Sequence, residues 1–407
     1  MDERLGKYAR LIVKTGVNIQ QGQTLVVTSP IECADFARLI AETAYKEGAR
    51  EVVMQWQDEL SAKIRFLLAP DEVFGEFPSW RRDFYMYYVN SGAAFVALAA
   101  EDPELLKEVD PARIVAQQKS SSEALIHYRR KLMNHENSWC VASMPTKAWA
   151  DKVFPAEARA EDLLLDAILK SVRIDTVDPV AAWAGHVKKL EKWREFLNTA
   201  SFQFLHYENS LGTDLTIELP ERHIWQGGAE KNAAGVTFMA NMPTEEVFTL
   251  PKRSGVNGKV FASKPLIYNS TVIDKFSLTF REGRVIDFAA EVGQDILKGL
   301  LDTDEGAGYL GEVALVPDDS PISNSGILFY NTLFDENASC HLALGKAYPI
   351  CVQGGDKLAE TELVASGIND SLIHVDFMIG TKDLTITGIT RDGKKVAVFR
   401  DGNFADF

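Results

Sequence analysis

Chemistry-competent side chains gather in the second half of this 407-residue chain. His374 and Asp376 stand two apart in Leu372-Ile-His-Val-Asp-Phe-Met-Ile. Alternation in that run predicts a strand with both polar groups on one face and Ile373, Val375 and Phe377 behind. A His and a carboxylate on one face of an apolar strand are costly to bury alone, and a divalent cation offsets the cost. A surface-facing pair, or a His–Asp hydrogen bond, accounts for the same two residues equally well. Glu312 starts another apolar strand, Gly311-Glu-Val-Ala-Leu-Val-Pro, although an edge glutamate taken singly is more often solvated. Glu245 and Glu246 are adjacent carboxylates in Asn241-Met-Pro-Thr-Glu-Glu-Val-Phe-Thr, between a Pro turn and a short strand. Successive strand positions face opposite ways, so at most one of them enters a given site. The competing reading makes Thr244 a helix N-cap with acidic first-turn residues after it. His341 lies in Phe334-Asp-Glu-Asn-Ala-Ser-Cys-His-Leu-Ala-Leu-Gly-Lys-Ala-Tyr348. A helix would put His341 and Tyr348 on one face and a strand would not; Gly345 leaves the element open.

Each residue alone says little. Together Glu246, Glu312, His341, His374 and Asp376 form a mixed carboxylate–imidazole set suited to zinc, cobalt or manganese. Carboxylate-dominated sets with few histidines are typical of paired cations, whose charge of about +4 must be offset. Other motifs fail. Gly306-Ala-Gly-Tyr-Leu-Gly311 matches a dinucleotide fingerprint, but a helix pattern precedes it and a strand pattern follows, the reverse of what the fingerprint requires. The sequence holds no Walker loop, Gly-x-Ser-x-Gly elbow or His-Glu-x-x-His pair.

The elements that must position these groups fall into two textures. The first half alternates apolar strand runs with helix patterns: Thr24–Thr28, Glu51–Trp56, Ala93–Leu98 and Trp139–Met144 as strands, Asp35–Ala41, Ser61–Leu68 and Glu123–Met133 as helices, with a turn at Ser29-Pro30. Strands joined through helices imply a mostly parallel sheet, here an α/β N-terminal domain over residues 1–195 that ends in a helical connector. Asp178-Pro179 reads as N-cap and first turn of the last connector helix. From Phe202 the pattern becomes alternation and tight turns, with hairpin signals at Glu282-Gly283, Asp392-Gly393 and Asp401-Gly402. The expectation is a β-rich α+β catalytic domain over residues 196–407, with a helix at Asp295–Leu301.

Composition excludes more than it names. With 43 basic and 58 acidic residues the net charge is −15, which disfavours nucleic acid and anionic membrane surfaces. The longest clean apolar run, Ala93–Ala100, is far short of the roughly 20 residues that span a bilayer. Met1–Lys7 lacks the apolar core of a signal peptide, and the four scattered cysteines read as reduced, buried thiols. A cytoplasmic protein is expected.

These words carry a resemblance. Asn241–Thr249, Leu301-Asp-Thr-Asp-Glu-Gly, Gly311–Pro317, Thr332-Leu-Phe-Asp-Glu-Asn-Ala and His374-Val-Asp-Phe-Met-Ile-Gly, with Thr28-Ser-Pro-Ile-Glu and His223-Ile-Trp-Gln-Gly-Gly, resemble the thermophilic metalloaminopeptidase family of the aminopeptidase T and aminopeptidase S type. The resemblance implies a cytoplasmic homodimer that removes N-terminal residues from peptides with a free N-terminus, using two divalent metal ions held in the C-terminal domain. Carried over by motif, the metal ligands are Glu246, Glu312, His341, His374 and Asp376, with Glu336 as a further ligand. Tyr348 takes the position of a tyrosine near the metals. On this reading Glu312 bridges the cations, a second cation or Glu245 holds the substrate α-ammonium, Glu245 or Glu246 is the nearest base, and Tyr348 serves the oxyanion or the leaving amine, or else orients a ligand. The alternatives are a metal-dependent amidase or other peptidase using the same centre, and a non-catalytic dimer that binds cations or peptides. Cys340 and Cys351 close to the His341 word are a departure, read as buried inert thiols.

Overall fold

Four apolar runs in the first half pair in parallel in the computed structural model, which describes residues 2–268 and 271–406. They are β1 (Thr24–Pro30), β2 (Glu51–Gln57), β3 (Ala94–Leu98) and β4 (Trp139–Ala142), ordered β2-β1-β3-β4. Leu25, Val26 and Val27 in β1 and Ala94, Phe95 and Val96 in β3 are buried in succession, as strands covered on both faces must be. The helices of this half are α1 (Glu3–Leu11), α2 (Ala34–Lys46), α3 (Glu59–Leu68), α4 (Ser79–Asn90), α5 (Pro111–Ala124), α6 (Ile126–Met133), α7 (Lys147–Val153) and α8 (Ala160–Ser171). One local expectation is corrected: Ser29 and Pro30 continue β1, and the chain turns one step later in a 3-10 segment, Ile31–Cys33. Proline at the strand end costs no ladder bond where the strand is already finishing.

Helix α9 (Pro179–Ala200) follows. Its start is set as the sequence suggests, with the Asp178 carboxylate accepting from Val180 N at 3.1 Å and Ala181 N at 3.2 Å.

The second half carries β5 (Phe204–Glu208), β6 (Asp214–Glu218), β7 (Glu230–Lys231), β8 (Thr237–Phe238), β9 (Val247–Thr249), β10 (Val256–Phe261), β11 (Leu266–Tyr268), β12 (Thr271–Arg281) and β13 (Arg284–Val292). After helix α10 (Gln294–Leu301) come β14 (Leu310–Leu315), the short α11 (Thr332–Asp335), β15 (His341–Gly345), α12 (Glu360–Ala365), β16 (His374–Met378), β17 (Thr385–Ile389), β18 (Lys395–Arg400) and β19 (Asn403–Phe404). A large antiparallel sheet runs β11-β12-β10-β6-β5-β17-β18-β19, with β13 beside β12. A second antiparallel sheet runs β16-β15-β14-β9, while β7 and β8 form a small ribbon. The expected hairpin signals do their work: Arg281 faces Arg284 across Glu282-Gly283, whose φ values of 49° and 83° suit a two-residue turn with both centres left-handed. The Gly306–Gly311 stretch runs from the turn after α10 into the start of β14, so no helix N-terminus follows it.

The chain divides into two compact units, one comprising Met1–Val187 and Ala229–Thr244, the other Lys188–Gly228 and Glu245–Phe407. In the second unit, Val313, Leu315, Leu342, Leu344 and Phe377 from the smaller sheet share one core with Leu205, Ile217, Val260, Leu278 and Ile386 of the larger. Burying each such side chain contributes roughly 1.5–3 kcal/mol, and this fastens one face of the smaller sheet. Among the described residues, no helix is long and apolar enough to cross a membrane.

Gly345 ends β15 at φ +100°, and a Cβ there would lie 2.2 Å from the Ile373 carbonyl oxygen. Gly345→Ala is expected to destabilise the protein by about 1–3 kcal/mol. Gly308→Ala, which meets nothing within 4 Å, should leave the thermal midpoint unmoved in the same melting experiment.

Candidate metal centre

Alternation on the smaller sheet sends Val313, Leu315, Leu342, Leu344 and Phe377 into the core, so Glu312, His341, His374 and Asp376 share the opposite face. The register decides which of them meet. Glu312 lies opposite Ala343, Ala343 opposite Asp376, His341 opposite Ala314, and His374 opposite Gly345. Apart from Met378, which lies opposite His341 on its other side, the cross-strand neighbours carry a methyl group or a hydrogen, and the long side chains converge over these small ones. Glu246 arrives from the segment just ahead of β9, the strand that flanks β14.

The resulting distances define two triads. His341 Nε2 lies 3.1 Å from Glu246 Oε2 and 3.8 Å from Glu312 Oε1. His374 Nε2 lies 3.3 Å from Glu312 Oε2 and 3.5 Å from Asp376 Oδ1. Within each triad, Glu246–Glu312–His341 and Glu312–His374–Asp376, one potential ligand atom from every member falls within 4.8 Å of the others. Glu312 belongs to both, one oxygen turned to each histidine.

Both imidazoles are oriented from behind. His341 Nδ1–H donates to the carbonyls of Glu336 at 3.0 Å and Ser339 at 3.1 Å. His374 Nδ1–H donates to the Lys346 carbonyl at 2.6 Å. A donor at Nδ1 leaves Nε2 of the neutral ring as a lone pair aimed at the carboxylates. Two of the opposing oxygens, Glu246 Oε2 and Asp376 Oδ1, are sealed from solvent and complete no hydrogen bond. Lone pairs thus face lone pairs, and the arrangement calls for positive charge at its centre.

The electrostatics say the same. Burial alone would depress both histidines, but Glu246 and Glu312 around His341, and Tyr348, Asp376 and Glu312 around His374, hold them well above the usual histidine value. Burial pushes Glu246 and Glu336 up, helped by neighbouring carboxylates. Asp376 stays below its usual value despite burial because both histidines face it. Groups that compete for a proton in this way also suit a divalent cation, which satisfies several carboxylates at once.

Other sequence-derived candidates are placed as follows. Glu245 is buried beside Glu246, its backbone N–H donating to Asn337 Oδ1 at 2.7 Å. Glu245 and Glu246 lead into a strand, so the Thr244 helix-cap alternative is not realised. Glu336 sits in a 3-10 turn, Glu336–Ala338; its charge reaches Asp376 and Glu246, but its carboxylate is in neither triad. Tyr348 is set edge-on to the His374 ring, with centroids 4.8 Å apart. His374 draws its phenol down, yet burial and the carboxylates of Glu312, Asp376 and Glu336 raise it well above the usual tyrosine value, so it stays protonated at neutral pH. The open choice at His341 resolves to a strand, and Tyr348 reaches the site through the turn after Gly345.

Cys340 points away from the triads, donating to the Val316 carbonyl at 3.2 Å, and burial pushes its thiol up to about 12. It is buried, as expected, and all four cysteines are buried and free of disulfides. Sequence reasoning missed Asn337, fully buried, whose amide also donates to the Leu333 carbonyl at 2.9 Å. Its only signal was membership of the Phe334–Tyr348 word.

The chain is similar to known proteins over its full length. A family model described as thermophilic metalloprotease (M29) matches residues 1–404. Aminopeptidase 2 of Geobacillus stearothermophilus is 51% identical, over 99% of this chain and 98% of its own. Aminopeptidase AmpS of Bacillus subtilis is 49% identical over the same shares. The solved structure of AmpT from Thermus thermophilus superposes with a TM-score of 0.93 at 37% identity, covering 99% of each chain. Full-length similarity in sequence and fold shows that the chain belongs to the thermophilic metalloprotease (M29) family.

Proposed function

We propose that this protein is a metal-dependent aminopeptidase that releases N-terminal residues from peptides at a centre for two divalent cations, zinc, cobalt or manganese. The observation that carries the reading is the shared Glu312, which turns one oxygen to each histidine of two adjoining triads. Glu246, Glu312 and His341 would hold one cation, and Glu312, His374 and Asp376 the other, with Glu336 as a further ligand. The relatives' name as aminopeptidases supports the substrate class, peptides with a free N-terminus. Bound cations would supply Lewis acidity and an activated water.

The chain's own residues do the rest. Lys346 O and the Glu336 and Ser339 carbonyls fix the imidazole rings, so the ligand set needs little reorganisation. Tyr348, protonated and against His374, donates a hydrogen bond to the oxygen that becomes negative, or a proton to the leaving amine. Glu245, buried next to Glu246, either pairs with the substrate α-ammonium, which confines cleavage to the first residue, or takes the proton of the attacking water. The protein works in the cytoplasm as a homodimer, its second half, 196–407, serving as the catalytic domain. Leu60, Ile64 and Leu68, exposed along one face of α3, are the kind of apolar stripe a second copy would cover.

Four outcomes test this. Purified protein given zinc, cobalt or manganese hydrolyses leucine-p-nitroanilide and leaves the N-acetylated compound intact; activity on both, or on neither, sinks the aminopeptidase assignment. Chelation and Glu312→Ala each abolish turnover while circular dichroism stays native, and survival of activity under both would remove the metal reading. Tyr348→Phe lowers kcat by about 10²–10³-fold with little change in KM. Sedimentation should give twice the 45.2 kDa chain mass, and a monomer at micromolar concentration rejects the dimer.

A further inference from the structure

We propose that Asp304 is a positioning residue for the His374–Asp376 half of the centre alone, setting the pose of His374 through hydrogen bonds and touching no ion itself. The inference rests on the two-cation reading above.

Asp304 occupies the turn after α10, ahead of β14 in the chain. Its carboxylate is saturated with donors. Oδ1 accepts from Gly306 N at 2.8 Å, Ala307 N at 2.9 Å and Ser371 Oγ at 2.9 Å. Oδ2 accepts from Ser371 Oγ at 2.9 Å and Leu372 N at 2.6 Å. No cationic side chain among the described residues lies in ion-pair range of it: Lys346 pairs with Asp370, and Arg253 with Glu305. The charge is met by N–H and O–H dipoles, which bind most strongly to an ionised acceptor.

Those bonds stitch the Asp304 turn to the run-in of β16. Asn369 adds to the seam, donating to Gly306 O at 2.9 Å and Gly345 O at 2.6 Å. Gly306 permits the approach, since a Cβ there would lie 1.8 Å from the Asp370 carbonyl oxygen. Beyond the seam the chain of contacts is short. Ser371 Oγ accepts from Ile373 N at 3.2 Å, Ile373 O accepts from Lys346 N at 2.7 Å, and Lys346 O receives the His374 Nδ1–H at 2.6 Å. The direction of His374 Nε2 thus depends on where residues 371–373 are held.

His341 has a different anchor. Its Nδ1–H is gripped by Glu336 O and Ser339 O, in the run-in to its own strand, and no hydrogen bond of that pair involves the Asp304 seam. Disturbing Asp304 should therefore act on one triad and spare the other.

Asp304→Asn tests this, because its amide nitrogen must face donors: with the oxygen kept toward Gly306 and Ala307, the NH2 meets Leu372 N and Ser371 Oγ. Metal-free protein is titrated with zinc by calorimetry, alongside its apo thermal midpoint. The wild type should take up two ions; in Asp304→Asn one of them should bind about 10–100-fold more weakly and the other unchanged. In a His374→Ala background, Asp304→Asn should have no further effect on the remaining ion. Ser371→Ala removes only the hydroxyl from the seam and should weaken the same ion to a smaller degree, which keeps the test available if the Asn variant folds poorly. Equal weakening of both ions, or two ions bound as in the wild type, overturns the positioning role. A wild-type protein that binds no zinc overturns the two-cation reading, and this inference with it.

Discussion

Carboxylates and imidazoles buried together without water repel or desolvate one another unless positive charge is shared among them, and this is the constraint on which the second unit is built. Glu312, His341, Glu245 and Glu246 are all at least nine-tenths covered, with exposures between 1% and 8%. Such a cluster tends to push its own strands apart. The opposing force lies one residue away on each strand, where Val313, Leu342 and Phe377 are packed into the shared core. Alternation makes the two roles inseparable: a one-residue slip in β15 would turn His341 inward and Leu342 toward the carboxylates.

Much of the fold was legible because it rests on local patterns. Continuous apolar runs announced the covered parallel strands, and Glu282-Gly283 and Asp401-Gly402 announced hairpins whose two central residues are both left-handed. His374 and Asp376 were legible for the same reason, since two residues apart on a strand always share a face. Register was not legible. That Glu312, His341 and Asp376 stand in neighbouring strands depends on pairings between segments tens of residues apart, which no window of sequence contains. Residue type suggested the grouping and the resemblance to a family strengthened it, while the physical reason for it, small residues at Ala314, Ala343 and Gly345, appears only once the strands are paired.

The undecided element at His341 shows where local rules conflict. Gly345 reads as a helix breaker, which left the helix and strand readings open. In the structure it is a strand-end glycine whose missing side chain admits the Ile373 carbonyl. Asn337 illustrates another limit. A buried amide that joins Glu245 N to Leu333 O has no periodicity, and its importance is set by partners 92 and 4 residues away. Polar groups that hold other polar groups in place are the least visible class in any sequence of this kind.

The passage of Ala229–Thr244 back into the first unit has a genetic consequence. Because the chain crosses between units after Val187, after Gly228 and again after Thr244, no single cut yields two intact pieces. A truncation that begins at Lys188 still carries 16 residues, 229–244, whose packing partners have been deleted, and the last of them is bonded directly to Glu245. Recombination among relatives meets the same barrier: a crossover between residues 188 and 228 leaves the first unit with residues 1–187 from one parent and 229–244 from the other. Residues 229–244 therefore have to come from the same parent as residues 1–187 if the first unit is to stay matched.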